Sequence, residues 1–165
     1  MFFPVFVSLV ILQRLAELVY AKRNRKIMLS KGAVEYDRNG YNYVVLLHSL
    51  FFISLVLENY LLSKNLNIYW YIYFLLFGTG QLFRYLAMFA LKENWNTRII
   101  VLKDSEPVKK GLFKYFKHPN YIGVVIELFS MPLIFSCYIT AIIYTLLNAF
   151  ALKRRMRIEE SLIYK

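Results

Sequence analysis

IYWYIYFLLFGTGQLFRYLAMFAL, residues 68–91, decides what kind of fold this chain adopts. A helix rises about 1.5 Å per residue, so the ~30 Å hydrocarbon core of a bilayer needs ~20 consecutive apolar residues. This stretch supplies them with one charge, Arg84. Working outward, residues 2–20 and 41–62 are similar runs, and residues 121–135 and 136–152 are two shorter ones that meet at Ser136. The chain has 165 residues, 59% of them hydrophobic and 18% aromatic, which leaves less polar surface than a soluble domain of this length needs. The expected fold class is all-α integral membrane. About five transmembrane helices are predicted, the last two a tight hairpin, together with a cytoplasmic loop and a C-terminal helix. Residues 1–165 read as one domain, with a three-helix part over 1–93 and the long loop, hairpin and C-terminal motif over 94–165.

The formal net charge of +11 raises the question of nucleic acid, and the placement of the charge answers it. Most of the basic residues fall in three clusters, 21–38, 92–117 and 153–157, each beside an apolar run. That is the pattern produced by the positive-inside rule, so topology accounts for the charge and no nucleic-acid partner is expected. The connection SKNLN carries only Lys64 and the hairpin tip carries no charge. The expected topology therefore has the N-terminus outside and the C-terminus in the cytoplasm. The first run has no basic lead-in and no small-residue cleavage site, so it is expected to be retained. Cys137 has no second cysteine to pair with and reads as a small buried side chain.

Several polar residues interrupt the apolar runs. Arg14 and Glu17 are three apart on one helical face and able to pair, while Arg84 lies with Gln81 at a similar depth. Each arginine has two readings, a functional intramembrane charge or a side chain that snorkels to the headgroups. His48 has no acid or cysteine at metal-ligand spacing, and the only other histidine is His118, so no metal site is expected. Gly78 and Gly80 read as places of close helix packing. Glu58 and Asn59 fall near the outer surface and are expected to be solvated.

The longest polar piece is KENWNTRIIVLKDSEPVKKGLFKYFKHPN, residues 92–120. RIIVL within it reads as extended, a turn is expected at 104–107, and a short helix at 112–116 should stop before Pro119. A loop this long in so small a membrane protein is expected to be functional. After the hairpin, Arg155 and Glu159 in LKRRMRIEESL are four apart and can point the same way from a helix. Taken alone, that pair reads as ordinary surface support.

GLFKYFKHPNYIG and RMRIEESL together resemble the isoprenylcysteine carboxyl methyltransferase family of small integral membrane methyltransferases. There an R-H-P-x-Y-x-G stretch precedes a helical hairpin and R-x-x-x-E-E-x-x-L follows it. The matching residues here are Lys117, His118, Pro119, Asn120, Tyr121 and Gly123, then Arg155, Glu159, Glu160 and Ile163. The resemblance covers residues 95–163, and the first half is similar to a short bacterial branch whose members resemble alkylpyrone O-methyltransferases. It implies S-adenosylmethionine as cofactor and a lipophilic small-molecule acceptor reached through the membrane lipids of a bacterial cell membrane. It implies cofactor contacts at Ser105, Glu106, Pro107, Val108, Gly111, Phe113, His118, Pro119, Asn120, Tyr121 and Glu159. Arg155 and Glu159 carry over as catalytic residues, with Arg155 on the substrate side and Arg84 and Arg14 as further substrate-side candidates.

Lys117 stands where arginine is usual, which keeps the charge but loses the bidentate fork. Phe113 stands where relatives often have tyrosine. The chain stops soon after the acidic pair, so a second copy, in a homo-oligomer, is one way to complete the cover over the substrate. Carboxyl methylation of a prenylcysteine, N-methylation of a phospholipid, an NADPH-dependent reductase and a non-catalytic scaffold remain alternative readings.

Overall fold

The computed structural model describes residues 2–103 and 105–163, and the apolar runs fold as helices. They are α1 (Phe2–Ser30), α2 (Arg38–Leu61), α3 (Trp70–Leu91), α4 (Pro119–Ile134) and α5 (Tyr138–Ile163). A short strand, β1 (Val34–Tyr36), lies between α1 and α2. Between α3 and α4 come β2 (Ile99–Val101) and two 3₁₀ turns, Lys92–Asn94 and Gly111–Lys114. Three helices, beginning at Phe2, Arg38 and Trp70, are long and apolar enough to cross a membrane. α4 has 16 residues and so extends only about 24 Å. Leu9, Leu75, Phe89 and Phe150 are each more than 60% exposed, an outer surface suited to lipid and unsuited to water. The protein is a multi-pass membrane protein.

The apolar core joins α1 to the hairpin. Phe6, Val10, Phe51, Leu55, Phe77, Met131 and Phe135 cluster there, and the Phe6 ring meets Phe77 edge-on at 5.3 Å. α3 and α4 approach still more closely. A Cβ on Gly80 would come within 2.9 Å of the Gly123 carbonyl oxygen, and one on Gly123 within 2.7 Å of the Gly80 carbonyl oxygen. Gly80 thus does what the sequence led one to expect, whereas the Cα of Gly78 faces open space.

The hairpin turns at Ser136, with Ser136 at φ 56, and Cys137 is buried as expected. The expectation that Glu58 is solvated is overturned. Glu58 is buried, and its carboxylate accepts from the backbone N–H groups of Ile139 at 3.1 Å and Thr140 at 2.7 Å. The first turn of any helix has N–H groups with no intrahelical partner, and a carboxylate from α2 satisfies two of them for α5. Glu58→Ala is expected to lower stability by about 1–2 kcal/mol, as for loss of a side-chain cap. Thermal unfolding in detergent measures this, with Glu58→Gln recovering part of the loss.

RIIVL is extended as expected, and its partner is the segment after α1. β1 and β2 are antiparallel with Val34 opposite Val101 and Tyr36 opposite Ile99. The short helix expected at 112–116 forms instead as the 3₁₀ turn Gly111–Lys114. Of the turn expected at 104–107, Asp104 lies outside the described residues.

Candidate functional site

The long loop is stitched down residue by residue. At the end of α1, Asn24 donates to the carbonyls of Lys92 at 3.0 Å and Trp95 at 2.8 Å, and Asn96 donates back to Ala21 at 3.2 Å. Glu35 on β1 accepts from Arg25 at 2.9 Å and from Arg98. From α5, Arg155 Nη1 donates to the Thr97 carbonyl at 3.0 Å. The amide and guanidinium contacts satisfy backbone carbonyls that a loop otherwise leaves to water, and together with the Glu35 ion pairs they fix the path of the loop.

Pro119 sits at the start of α4, where its missing N–H costs nothing and its fixed φ suits a first helical residue. This places His118 just ahead of the helix and Tyr121 on its first turn, both facing the end of α5. The Tyr121 hydroxyl donates to Glu159. His118 lies with Nδ1 at 3.4 Å from Glu159 and Nε2 at 3.3 Å from Glu160. The His118 and Tyr121 rings stack at 5.4 Å with 13° between their planes. Arg155 lies 3.8 Å from Glu159, and its guanidinium carbon stands 5.8 Å from the centre of the Tyr121 ring.

A cavity of about 240 Å³ opens beside this cluster. Every residue expected around a cofactor lines it except Gly111: Ser105, Glu106, Pro107 and Val108 from the loop, Phe113 from the second 3₁₀ turn, and His118, Pro119, Asn120, Tyr121 and Glu159 from the start of α4 and the end of α5. Gly111, at φ 55, opens the 3₁₀ turn that carries Phe113. Arg155, expected to be catalytic, neighbours Glu159 and the Tyr121 ring but is not among the residues that line the cavity. Trp95 also lines the cavity; the sequence marked it only as the start of the resemblance. The indole Nε1 of Trp95, Oδ1 of Asn120 and Nε of Arg155 are buried with no hydrogen-bond partner among the described residues.

Burial works against a charged ring at His118, but hydrogen bonds and charge from Glu159 and then Glu160 outweigh it, so its pKa is raised above the ordinary 6.5. Geometry agrees, because only the imidazolium can donate from both ring nitrogens. The sign follows from linkage: a raised folded-state pKa gives stability that is fully present below about 6.5 and is lost as pH rises through the folded value. The wild-type advantage in thermal stability over His118→Gln is therefore expected to shrink on going from pH 6 to pH 9. A gap that widens over that range would contradict the assignment.

Arg14 and Arg84 are not among the residues that line the cavity. They meet two acids inside the bundle. Arg14 bonds Glu17 at 2.8 Å and Glu127 at 2.6 Å; Arg84 bonds Glu127 at 2.8 Å and also bonds Glu17. Gln13 extends the network to Gln81 at 2.6 Å and Tyr85 at 2.8 Å. The expected Arg14–Glu17 pair is present, and neither arginine snorkels, since each guanidinium is held by both acids. Glu127 was missed in the sequence, although an acid inside the apolar run VVIELFSM was the available signal.

Fold and cavity together describe a small multi-pass membrane protein with a polar cavity where its long loop meets α4 and α5. The chain belongs to the isoprenylcysteine carboxyl methyltransferase (ICMT) family, whose model matches residues 71–165. That membership gives the class of activity, a membrane methyltransferase. The chain is 35% identical to the uncharacterized protein YpbQ of Bacillus subtilis over 96% of this chain and 94% of that one. It is 28% identical to an uncharacterized protein of Haemophilus influenzae over 84% of this chain and 81% of the other. No solved structure matches it.

Proposed function

We propose that the protein is an S-adenosylmethionine-dependent O-methyltransferase acting on a lipophilic acceptor held in the membrane, with the enolic hydroxyl of an alkylpyrone-type polyketide as the acceptor to test first. The observation that carries this reading is the His118–Tyr121–Glu159 cluster lining a cavity whose other lining residues include Trp95 and Asn120, each with a buried polar atom that has no hydrogen-bond partner among the described residues. The cofactor carries a carboxylate, an ammonium, a ribose diol and an adenine. The residues present fit those groups: Glu159 and Asn120 Oδ1 are acceptors, Trp95 Nε1 and His118 are donors, and Trp95, Phe113 and Tyr121 provide flat faces.

Bound there, S-adenosylmethionine supplies a methyl group on a sulfonium, already activated for in-line displacement. The chain's own part is binding and alignment. Pro119 fixes His118 and Tyr121 relative to α4, and Glu159 would accept from the ribose hydroxyls or the ammonium of the cofactor. Arg155 holds the acceptor oxygen as an anion. An enol or a carboxylic acid ionises readily, so the site needs no strong base. The basic loop and the basic end of α5 support a site on the cytoplasmic side, the side the positive-inside rule favours for such clusters.

The test is transfer of labelled methyl from S-adenosylmethionine by detergent-purified protein to a panel of alkylpyrone, prenylcysteine and phospholipid acceptors. Label in the pyrone alone supports the full reading. Label only in another acceptor keeps the methyltransferase and replaces the substrate, and no label in any acceptor overturns the proposal.

A further inference from the structure

Part of the wall of the cavity beside His118 is held from outside the long loop. Arg98, Ile99, Ile100 and Val101 line that cavity, and β2 is paired with β1, Glu35 standing opposite Ile100. Glu35 is the centre of the attachment. Its side chain is 3% exposed and accepts from Arg25 on α1, at 2.9 Å, and from Arg98. Burial works against charge on this carboxyl, but hydrogen bonds and charge from the two guanidiniums outweigh it and hold its pKa below the ordinary 4.5. The guanidinium carbon of Arg98 also stands 3.9 Å from the centre of the Tyr41 ring, in the first turn of α2, a cation–π contact. Arg25, Glu35 and Tyr41 all precede residues 71–165, the part of the chain that the family model matches.

Arg98 is therefore a cation held in a fixed place on the cavity wall. One carboxylate between two guanidiniums leaves a net positive charge on the group. Of the Arg98 guanidinium nitrogens, only Nη1 donates to another side chain among the described residues, and the side chain is 28% exposed, so the rest of the fork is open to a ligand. Such a fork matches a carboxylate through two parallel charge-assisted hydrogen bonds. The other basic residues that line the cavity are placed differently. Lys117 has a side chain 63% exposed and lies 3.8 Å from Glu160, while His118 lies between Glu159 and Glu160. Among the described residues, Arg98 alone of the three makes no ion pair with an acid on α5. The acids lining the cavity, Glu106 and Glu159, suit an ammonium and a sulfonium; a carboxylate on the same molecule needs a cation that those acids do not hold.

We propose that Arg98 is the carboxylate subsite of the cavity and that Glu35 is a positioning residue that acts through it. The α-carboxylate of the cofactor takes the open edge of the guanidinium, while Glu35 and Tyr41 keep that guanidinium from turning away. The subsite rests on the reading of the cavity as an S-adenosylmethionine site. The probes are S-adenosylmethionine and decarboxylated S-adenosylmethionine, which differ in that carboxylate alone. Their binding to the full-length protein in detergent is measured by calorimetry.

The wild type is expected to bind S-adenosylmethionine about tenfold or more tightly than the decarboxylated analogue. Arg98→Met is expected to bring the two affinities within about twofold of each other by weakening S-adenosylmethionine, with the affinity of the analogue unchanged. Glu35→Gln is expected to lose about threefold of the preference in the same one-sided way. Arg98→Lys keeps the charge without the fork and should fall between wild type and Arg98→Met. A clamp that only holds the loop in place would weaken both ligands equally in these variants, and that result overturns the proposal. Should Arg98→Met not fold, Arg98→Lys decides by the same criterion. Binding of both ligands by the wild type without discrimination strikes the subsite alone, whereas binding of neither strikes the cofactor reading and the subsite with it.

Discussion

Alanine at Glu159 is expected to lower kcat/KM for methyl transfer by about 10²–10³-fold, equivalent to ~3–4 kcal/mol of lost transition-state stabilisation. The size follows from how many groups depend on one carboxylate: the Tyr121 hydroxyl, the His118 ring and the Arg155 guanidinium all face it. Its removal leaves a buried hydroxyl and a buried cation without their partner, which costs more than a typical neutral hydrogen bond. Glu160 is the internal control. Its side chain is 42% exposed and, among the described residues, meets the outer nitrogen of His118 at 3.3 Å and Lys117 at 3.8 Å. Glu160→Ala is expected to cost less than tenfold. Labelled-methyl kinetics on both variants checks the pair, and equal losses would show that acidity at the end of α5 matters while the named contacts do not.

Alanine at Glu127 is expected to destabilise the folded protein by about 3–5 kcal/mol, the usual cost of breaking a buried ion-pair network on one side, because two guanidiniums are then left to share Glu17. Here the partners are Arg14 and Arg84, whose side chains are 20% and 11% exposed. The four charges balance, two on each side, so removing one of each sign should be far milder. Arg84→Met with Glu127→Met leaves Arg14 paired with Glu17 at 2.8 Å, and is expected within ~2 kcal/mol of wild type. Equilibrium unfolding in detergent measures both. If Glu127→Ala alone unfolds like wild type, the network is solvated and does not hold α1, α3 and α4 together.

The helices were legible because each apolar run can satisfy its backbone in a bilayer only by coiling, and the first three, α1, α2 and α3, are also long enough to cross one. The hairpin at Ser136 and the extended RIIVL segment were legible for similar local reasons. What could not be read was pairing across distance. Nothing local links Glu35 to Arg98 or β1 to β2, and nothing near Glu58 shows that the first turn of α5 will fold against it. The same gap produced the solvated reading of Glu58 and hid Glu127, whose partners lie on α1 and α3.

For the site, the two motifs were individually weak. His118, Pro119, Asn120 and Tyr121 are adjacent in sequence, but their meeting with Glu159 is a fact of the hairpin's return. Residues that hold the loop in place, Asn24 and Thr97 among them, carry no chemical signature in the sequence.

The most direct measurement is calorimetric binding of S-adenosylmethionine to the detergent-purified wild type and to His118→Ala and Glu159→Ala. Saturable binding to the wild type, weakened at least tenfold in both variants with the fold intact, is the predicted result. No binding to the wild type, or binding that neither substitution disturbs, would contradict the assignment of the cavity beside His118, Tyr121 and Glu159 as the cofactor site.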